Sequence, residues 1–86
     1  MSAESELSFP EFRTFLAGIL GVAEEEVRPE ARFFKDLHID SLRILEIVTR
    51  LEKLLGMELP SDVAWEIRTV DDAYAYYLRC LRDRAT

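Results

Sequence analysis

The chain has 86 residues, 49% hydrophobic and 33% charged, with a formal charge of −6; that is a globular composition sized for a single domain over residues 1–86 and not a disordered chain. The acidity argues against a nucleic-acid binder, whose footprint would be basic, and one cysteine (Cys80) with one histidine (His38) makes neither a disulfide framework nor the usual zinc site. No apolar run approaches the ~18 residues of a membrane span and the acidic start does not resemble a signal peptide, so a soluble cytoplasmic protein is expected.

The first predicted element is a helix. Ser8-Phe9-Pro10-Glu11 fits the capping-box pattern, with proline in the first turn, where its missing N–H costs nothing. Leu7 and Phe12 have the spacing of a hydrophobic staple. Phe12, Phe15, Leu16, Ile19 and Leu20 then follow the spacing of a buried stripe, and Gly21 offers the left-handed residue that stops the helix. The stretch from Val22 to Ile39 is too long for an ordinary connection. Its run Glu24-Glu25-Glu26 reads as solvated. Val27, Phe33, Phe34, Leu37 and Ile39 are expected to tack the loop onto the helices.

A second helix is predicted from Asp40 or Ser41 to Gly56, with Asp40 as its N-cap. Ile44, Ile47, Val48, Leu51, Leu54 and Leu55 form its inward stripe. Leu42 and Leu45 lie off that stripe, so the helix is apolar over more of its circumference than one core face requires. Either a wide core contact or an exposed edge for partners accounts for them. Nine acids and four bases leave −5 before Ser41, whereas Ser41 to Gly56 carries +1 and the remainder −2.

Ser61 is placed to cap a short turn through Val63, Ala64 and Trp65. Thr69, with Asp72 three residues on, opens a last helix whose apolar residues are Val70, Ala73, Tyr74, Tyr77, Leu78 and Leu81. No stretch alternates as a strand does. The fold class expected is all-α, a small bundle of three longer helices and one short one, with a long loop between helices one and two.

Phe34-Lys35-Asp36-Leu37, Asp40-Ser41-Leu42, Glu46, Leu51-Glu52, Leu59-Pro60 and Thr69-Val70 together resemble the acyl carrier protein family, over about Phe33 to Leu78. The resemblance implies a non-catalytic carrier of acyl-carrier type. It implies that a phosphopantetheinyl transferase places 4′-phosphopantetheine on Ser41, beside Asp40, and that the arm then holds an acyl group as a thioester. Leu42, Leu45, Glu46, Thr49 and Arg50 would meet the transferase and the acyl-loading and acyl-processing enzymes, in transient contacts of a monomer. Met1 and a complete four-helix pattern are expected of a free-standing carrier. A phosphodiester at a helix opening gains about 0.3–1 kcal/mol from the dipole, enough to orient it and not to drive chemistry.

Two departures from the family stand out. His38 occupies a position where the family usually has glycine; it is expected to be a solvated or hydrogen-bonded loop residue, the alternatives being a loop that bends differently there or a partner contact through His38. Arg43, Arg50 and Lys53 make the second helix about neutral, where the family's is markedly acidic. That points to polyketide or other specialised-metabolite assembly more than to housekeeping fatty acid biosynthesis. The alternatives are a peptidyl carrier, although the paired glycines of that family are missing before Ser41, and an unmodified helical interaction module. His38, Asp40 and Ser41 are too close in sequence to form a hydrolytic triad. Trp65 and the Tyr74, Tyr76 and Tyr77 cluster are expected to fill the core and its rim, and Cys80 to be half-buried and quiet.

Overall fold

The capping box at Ser8 forms as its residues predict. Ser8 Oγ accepts from the Glu11 N–H at 3.4 Å, and Glu11 Oε1 accepts from the Ser8 N–H at 2.8 Å. This opens α1 (Phe9–Leu20), and Gly21 closes it at φ 69°, in the left-handed region. The computed structural model describes residues 6–60 and 62–85. It continues with a 3-10 turn at Glu24–Glu26, all exposed, then α2 (Ser41–Leu55), α3 (Val63–Glu66) and α4 (Val70–Ala85). Gly56, also at φ 69°, ends α2. Among the described residues the fold is all-α, with three longer helices and one short one.

The last helix is capped as expected. Thr69 Oγ1 accepts from the Asp72 N–H at 3.1 Å, and Asp72 Oδ2 accepts from the Thr69 N–H at 3.2 Å. Ser61, the expected cap of α3, lies outside the described residues; Asp62, next to it, makes no side-chain cap bond.

Phe12, Leu16, Phe33, Ile44, Ile47, Leu51 and Tyr77 are sealed in the core, so all three longer helices and the loop contribute to it. The Phe12 ring stacks on Tyr77 at 5.3 Å and lies 5.1 Å from Tyr74, which joins α1 to α4. The two tyrosines also hold Leu7, just before α1. The Leu7 N–H donates to the Tyr77 hydroxyl at 2.8 Å, and the Tyr74 hydroxyl donates to the Leu7 carbonyl at 2.9 Å.

The long connection is ordered because its backbone is paired. The Phe33 N–H donates to the Arg68 carbonyl, the Val70 N–H to the Ala31 carbonyl (both 3.0 Å) and the Asp71 N–H to the Pro29 carbonyl (2.9 Å). Arg32 and Thr69 thus form an isolated antiparallel bridge. Val27, Phe33, Leu37 and Ile39 are buried as expected, but Phe34 is 52% exposed. Three further expectations are corrected. Leu54 is exposed, because α2 presents its core only along Ile44, Ile47, Val48, Leu51 and Leu55. Trp65 is 79% exposed, because the single turn of α3 spends its inward positions on Val63 and, just after it, Ile67. Cys80 is buried outright, and burial pushes its thiol pKa up, which makes it less reactive.

Candidate functional site

The loop before α2 dictates how that helix opens. Asp36 Oδ2 accepts from the Arg32 N–H at 2.8 Å, while the Asp36 and Leu37 N–H groups donate back to the Arg32 carbonyl at 2.9 and 3.0 Å. The Arg32 N–H is the main reason the Asp36 carboxyl is held below its usual value; desolvation opposes it, and the Arg32 charge adds to the lowering. Ile39 is buried, and its N–H donates to the Phe33 carbonyl at 2.9 Å.

Between the buried Leu37 and Ile39 stands His38, exposed and at φ 56°. The loop therefore takes at His38 the left-handed step that a glycine would make easily. Histidine enters this region more readily than most residues, yet the conformation costs about 1 kcal/mol. The buried neighbours on both sides hold it there.

Asp40 caps α2: its Oδ1 accepts from the Arg43 N–H at 3.0 Å and its carbonyl from the Ile44 N–H at 3.2 Å. Ser41 is the first helical residue and is exposed. Among the described residues, no hydrogen bond engages its hydroxyl, and the N–H groups of Ser41 and Leu42 have no acceptor. The result is a serine oxygen in solvent beside open amides at the positive end of a fifteen-residue helix. The Asp40 carboxylate is committed to the helix backbone, which is a further reason that His38, Asp40 and Ser41 make no triad.

The remaining site residues lie along the outer face of α2. Leu42 is 74% exposed and Leu45 49%, so they form an exposed edge and not a wide core contact. Thr49 is exposed, with its hydroxyl donating to the Leu45 carbonyl at 3.0 Å. Glu46 sits between two arginines, 3.6 Å from Arg43 and 3.7 Å from Arg50.

Two interactions were not foreseen. Arg43 reaches across to the end of α1, where its Nη1 donates to the Ile19 carbonyl at 2.8 Å. Glu52 is half-buried, and its Oε2 accepts from the Leu59 N–H at 2.8 Å, bracing the turn after α2. A glutamate followed seven residues later by Leu59-Pro60 was the available signal, but spacing alone does not say that the two meet.

Among the described residues, no group of three or more His, Cys, Asp or Glu side chains is placed to hold a metal ion, and no helix is long and apolar enough to cross a membrane.

A family model described as the phosphopantetheine attachment site matches residues 10–77. The chain is 49% identical over 57 residues to an acyl carrier protein of Rubrobacter xylanophilus, covering 66% of this chain and 70% of that one. It is 41% identical over 76 residues to an acyl carrier protein of Nitratidesulfovibrio vulgaris (88% and 93%) and 39% identical over 69 residues to one of Helicobacter hepaticus (80% and 91%). The chain belongs to the acyl carrier protein family. Members are non-catalytic carriers with a covalent 4′-phosphopantetheine group, served by phosphopantetheinyl transferases and acyl-processing enzymes.

Proposed function

We propose that Ser41 bears the 4′-phosphopantetheine arm and that the chain carries acyl intermediates as thioesters in polyketide or another specialised-metabolite assembly. The observation that carries the attachment site is the exposed Ser41 hydroxyl, free of hydrogen bonds among the described residues and set directly after the Asp40 cap. The group supplies a thiol at the end of a long arm, where the acyl cargo is held. The chain's own residues do the rest. Asp40 fixes the first turn, so the Ser41 oxygen is presented in one orientation. The open amides of Ser41 and Leu42 favour a phosphodiester over a neutral group at that point. Burial of Leu37 and Ile39 on either side of His38 keeps the approach to Ser41 rigid.

The pathway reading is supported by the charge of α2. Its two acids are engaged within the chain, Glu46 by Arg43 and Arg50, and Glu52 by the Leu59 amide. Lys53 has no carboxylate partner among the described residues. An enzyme that searches for an acidic helix therefore finds little to hold, and docking would rest on Leu42, Leu45, Thr49, Glu46 and Arg50. Such contacts are small and short-lived, as a carrier that must leave each enzyme requires. The same reading takes the chain as a cytoplasmic monomer of one domain.

Intact-mass measurement after incubation with coenzyme A and a promiscuous transferase tests the attachment site. One phosphopantetheine should be gained by the wild type and none by Ser41→Ala. No gain with several transferases would favour an unmodified interaction module. The modified chain should then accept a polyketide-type acyl load better than a fatty-acid elongation enzyme delivers one. Preferential loading with an amino acid would instead make it a peptidyl carrier.

A further inference from the structure

Among the described residues, the most exposed aromatic side chains are Trp65 and Phe34. They come from separate elements, α3 and the turn before α2, yet they border one open cleft of about 390 Å³. Ala64 and Ile67 supply its apolar lining, and Arg32, Lys35 and Arg68 its polar lining, with no carboxylate among the bordering residues. Arg32 shares its charge with Asp36 at 3.5 Å, but Lys35 and Arg68 have no carboxylate partner among the described residues. On a chain of net charge −6, this is a local patch of the opposite sign.

The walls are fixed in advance. The Arg32–Thr69 bridge, with its Phe33 to Arg68 and Val70 to Ala31 hydrogen bonds, ties the two sides together at the backbone. The Arg32–Asp36 turn stiffens one wall further. An exposed tryptophan on a rigid support, with arginine beside it, has the composition that dominates binding energy at protein interfaces. The cleft is too open to enclose a small molecule, which would remain largely in water.

We propose that this cleft is a second docking face, which takes an acidic segment of a partner protein through one large apolar side chain. The apolar group lies against Phe34 and Trp65, and the carboxylates face Lys35 and Arg68. The face uses none of the outer residues of α2, so it holds whether or not Ser41 is the attachment site.

The test uses the full chain, labelled with nitrogen-15, and two ten-residue peptides without tryptophan. One alternates glutamate with leucine, and the other places lysine where the first has glutamate. The acidic peptide should shift the amide signals of residues 32–35 and 64–68. It should also move the emission of Trp65, the single tryptophan, to shorter wavelength. Raising the salt should weaken binding, and the lysine peptide should bind at least about tenfold less tightly. Lys35→Glu with Arg68→Glu should reverse the peptide preference. Trp65→Ala should abolish the shifts at 32–35. These side chains are exposed, and unchanged signals elsewhere show that each variant is folded.

Absence of shifts, or shifts centred on α2, overturns the proposal. So does peptide preference unaltered by the charge reversals. Shifts at 32–35 and 64–68 on phosphopantetheinylation alone would give the cleft to the chain's own arm. Shifts that grow with protein concentration without peptide would give it to a second copy.

Discussion

Arg43 and Ile19 are joined by a 2.8 Å hydrogen bond from the guanidinium to the backbone carbonyl, tying the first turn of α2 to the last turn of α1. The end of α1 has no basic residue of its own, so Arg43 supplies the cation that favours a helix C-terminus. The turn that presents Ser41 is thereby braced from two sides, by Asp40 within the helix and by Arg43 across it.

Replacing Arg43 should therefore cost more than its ion pair with Glu46 would suggest. Arg43→Ala is expected to lower stability by about 1 kcal/mol, since it removes a charged donor from a carbonyl. Glu46→Ala, which removes only half-exposed ion pairs, should cost a few tenths at most, roughly what surface pairs contribute. Urea unfolding of both variants checks this; equal losses would mean that the tie to Ile19 contributes nothing.

His38 holds φ 56° against its own preference. His38→Gly relieves that strain, although glycine gives back part of the gain through the greater freedom of the unfolded chain. A net stabilisation of about 0.5 kcal/mol is expected. His38→Val should destabilise by at least about 1 kcal/mol, because a β-branched residue tolerates positive φ poorly. Thermal unfolding of the three proteins should rank Gly above His above Val.

Asp36 gives the loop its pH dependence. Its carboxyl pKa is lowered from 3.8, first by the Arg32 N–H and then by the Arg32 charge. A lowered folded pKa means that the charged form stabilises the fold. The contribution is complete above the unfolded value and is lost as the pH falls through the lowered one. Asp36→Asn keeps an acceptor oxygen but not the charge. The wild type should exceed it in stability at neutral pH, and the gap should close below about pH 4. Urea midpoints measured across that range give the answer directly.

Glu52 is expected to be structural. Glu52→Ala leaves the Leu59 N–H without its acceptor in a half-buried setting and should cost about 1–2 kcal/mol. Glu52→Gln retains an acceptor and should recover much of this. Hydrogen exchange at the Leu59 amide should quicken in the alanine variant far more than in the glutamine one.

The helix boundaries were legible because caps are short-range devices. Ser8 with Glu11, Asp40 with Arg43 and Thr69 with Asp72 each meet three residues apart, and Gly21 and Gly56 need only their own backbone freedom. Periodicity likewise separated most buried positions from exposed ones. It misplaced Leu54, at the edge of its stripe, and apolar character alone misplaced Phe34 and Trp65, since a hydrophobic residue is buried only if another element covers it.

The candidate site divides along the same line. Motif spacing led to Ser41, and the local cap explains its exposure. Charge counting found α2 near neutral, but only the folded chain pairs Glu46 with both Arg43 and Arg50 and engages Glu52 elsewhere. The contacts of Leu7 with Tyr74 and Tyr77, of Arg43 with Ile19, and of the 32–35 turn with Arg68 join residues 24 to 70 positions apart or across separate elements. Local preference acts over a helical turn and can be read from neighbours along the chain. Which side chains meet after that depends on how whole elements pack, and packing is settled by the entire molecule at once.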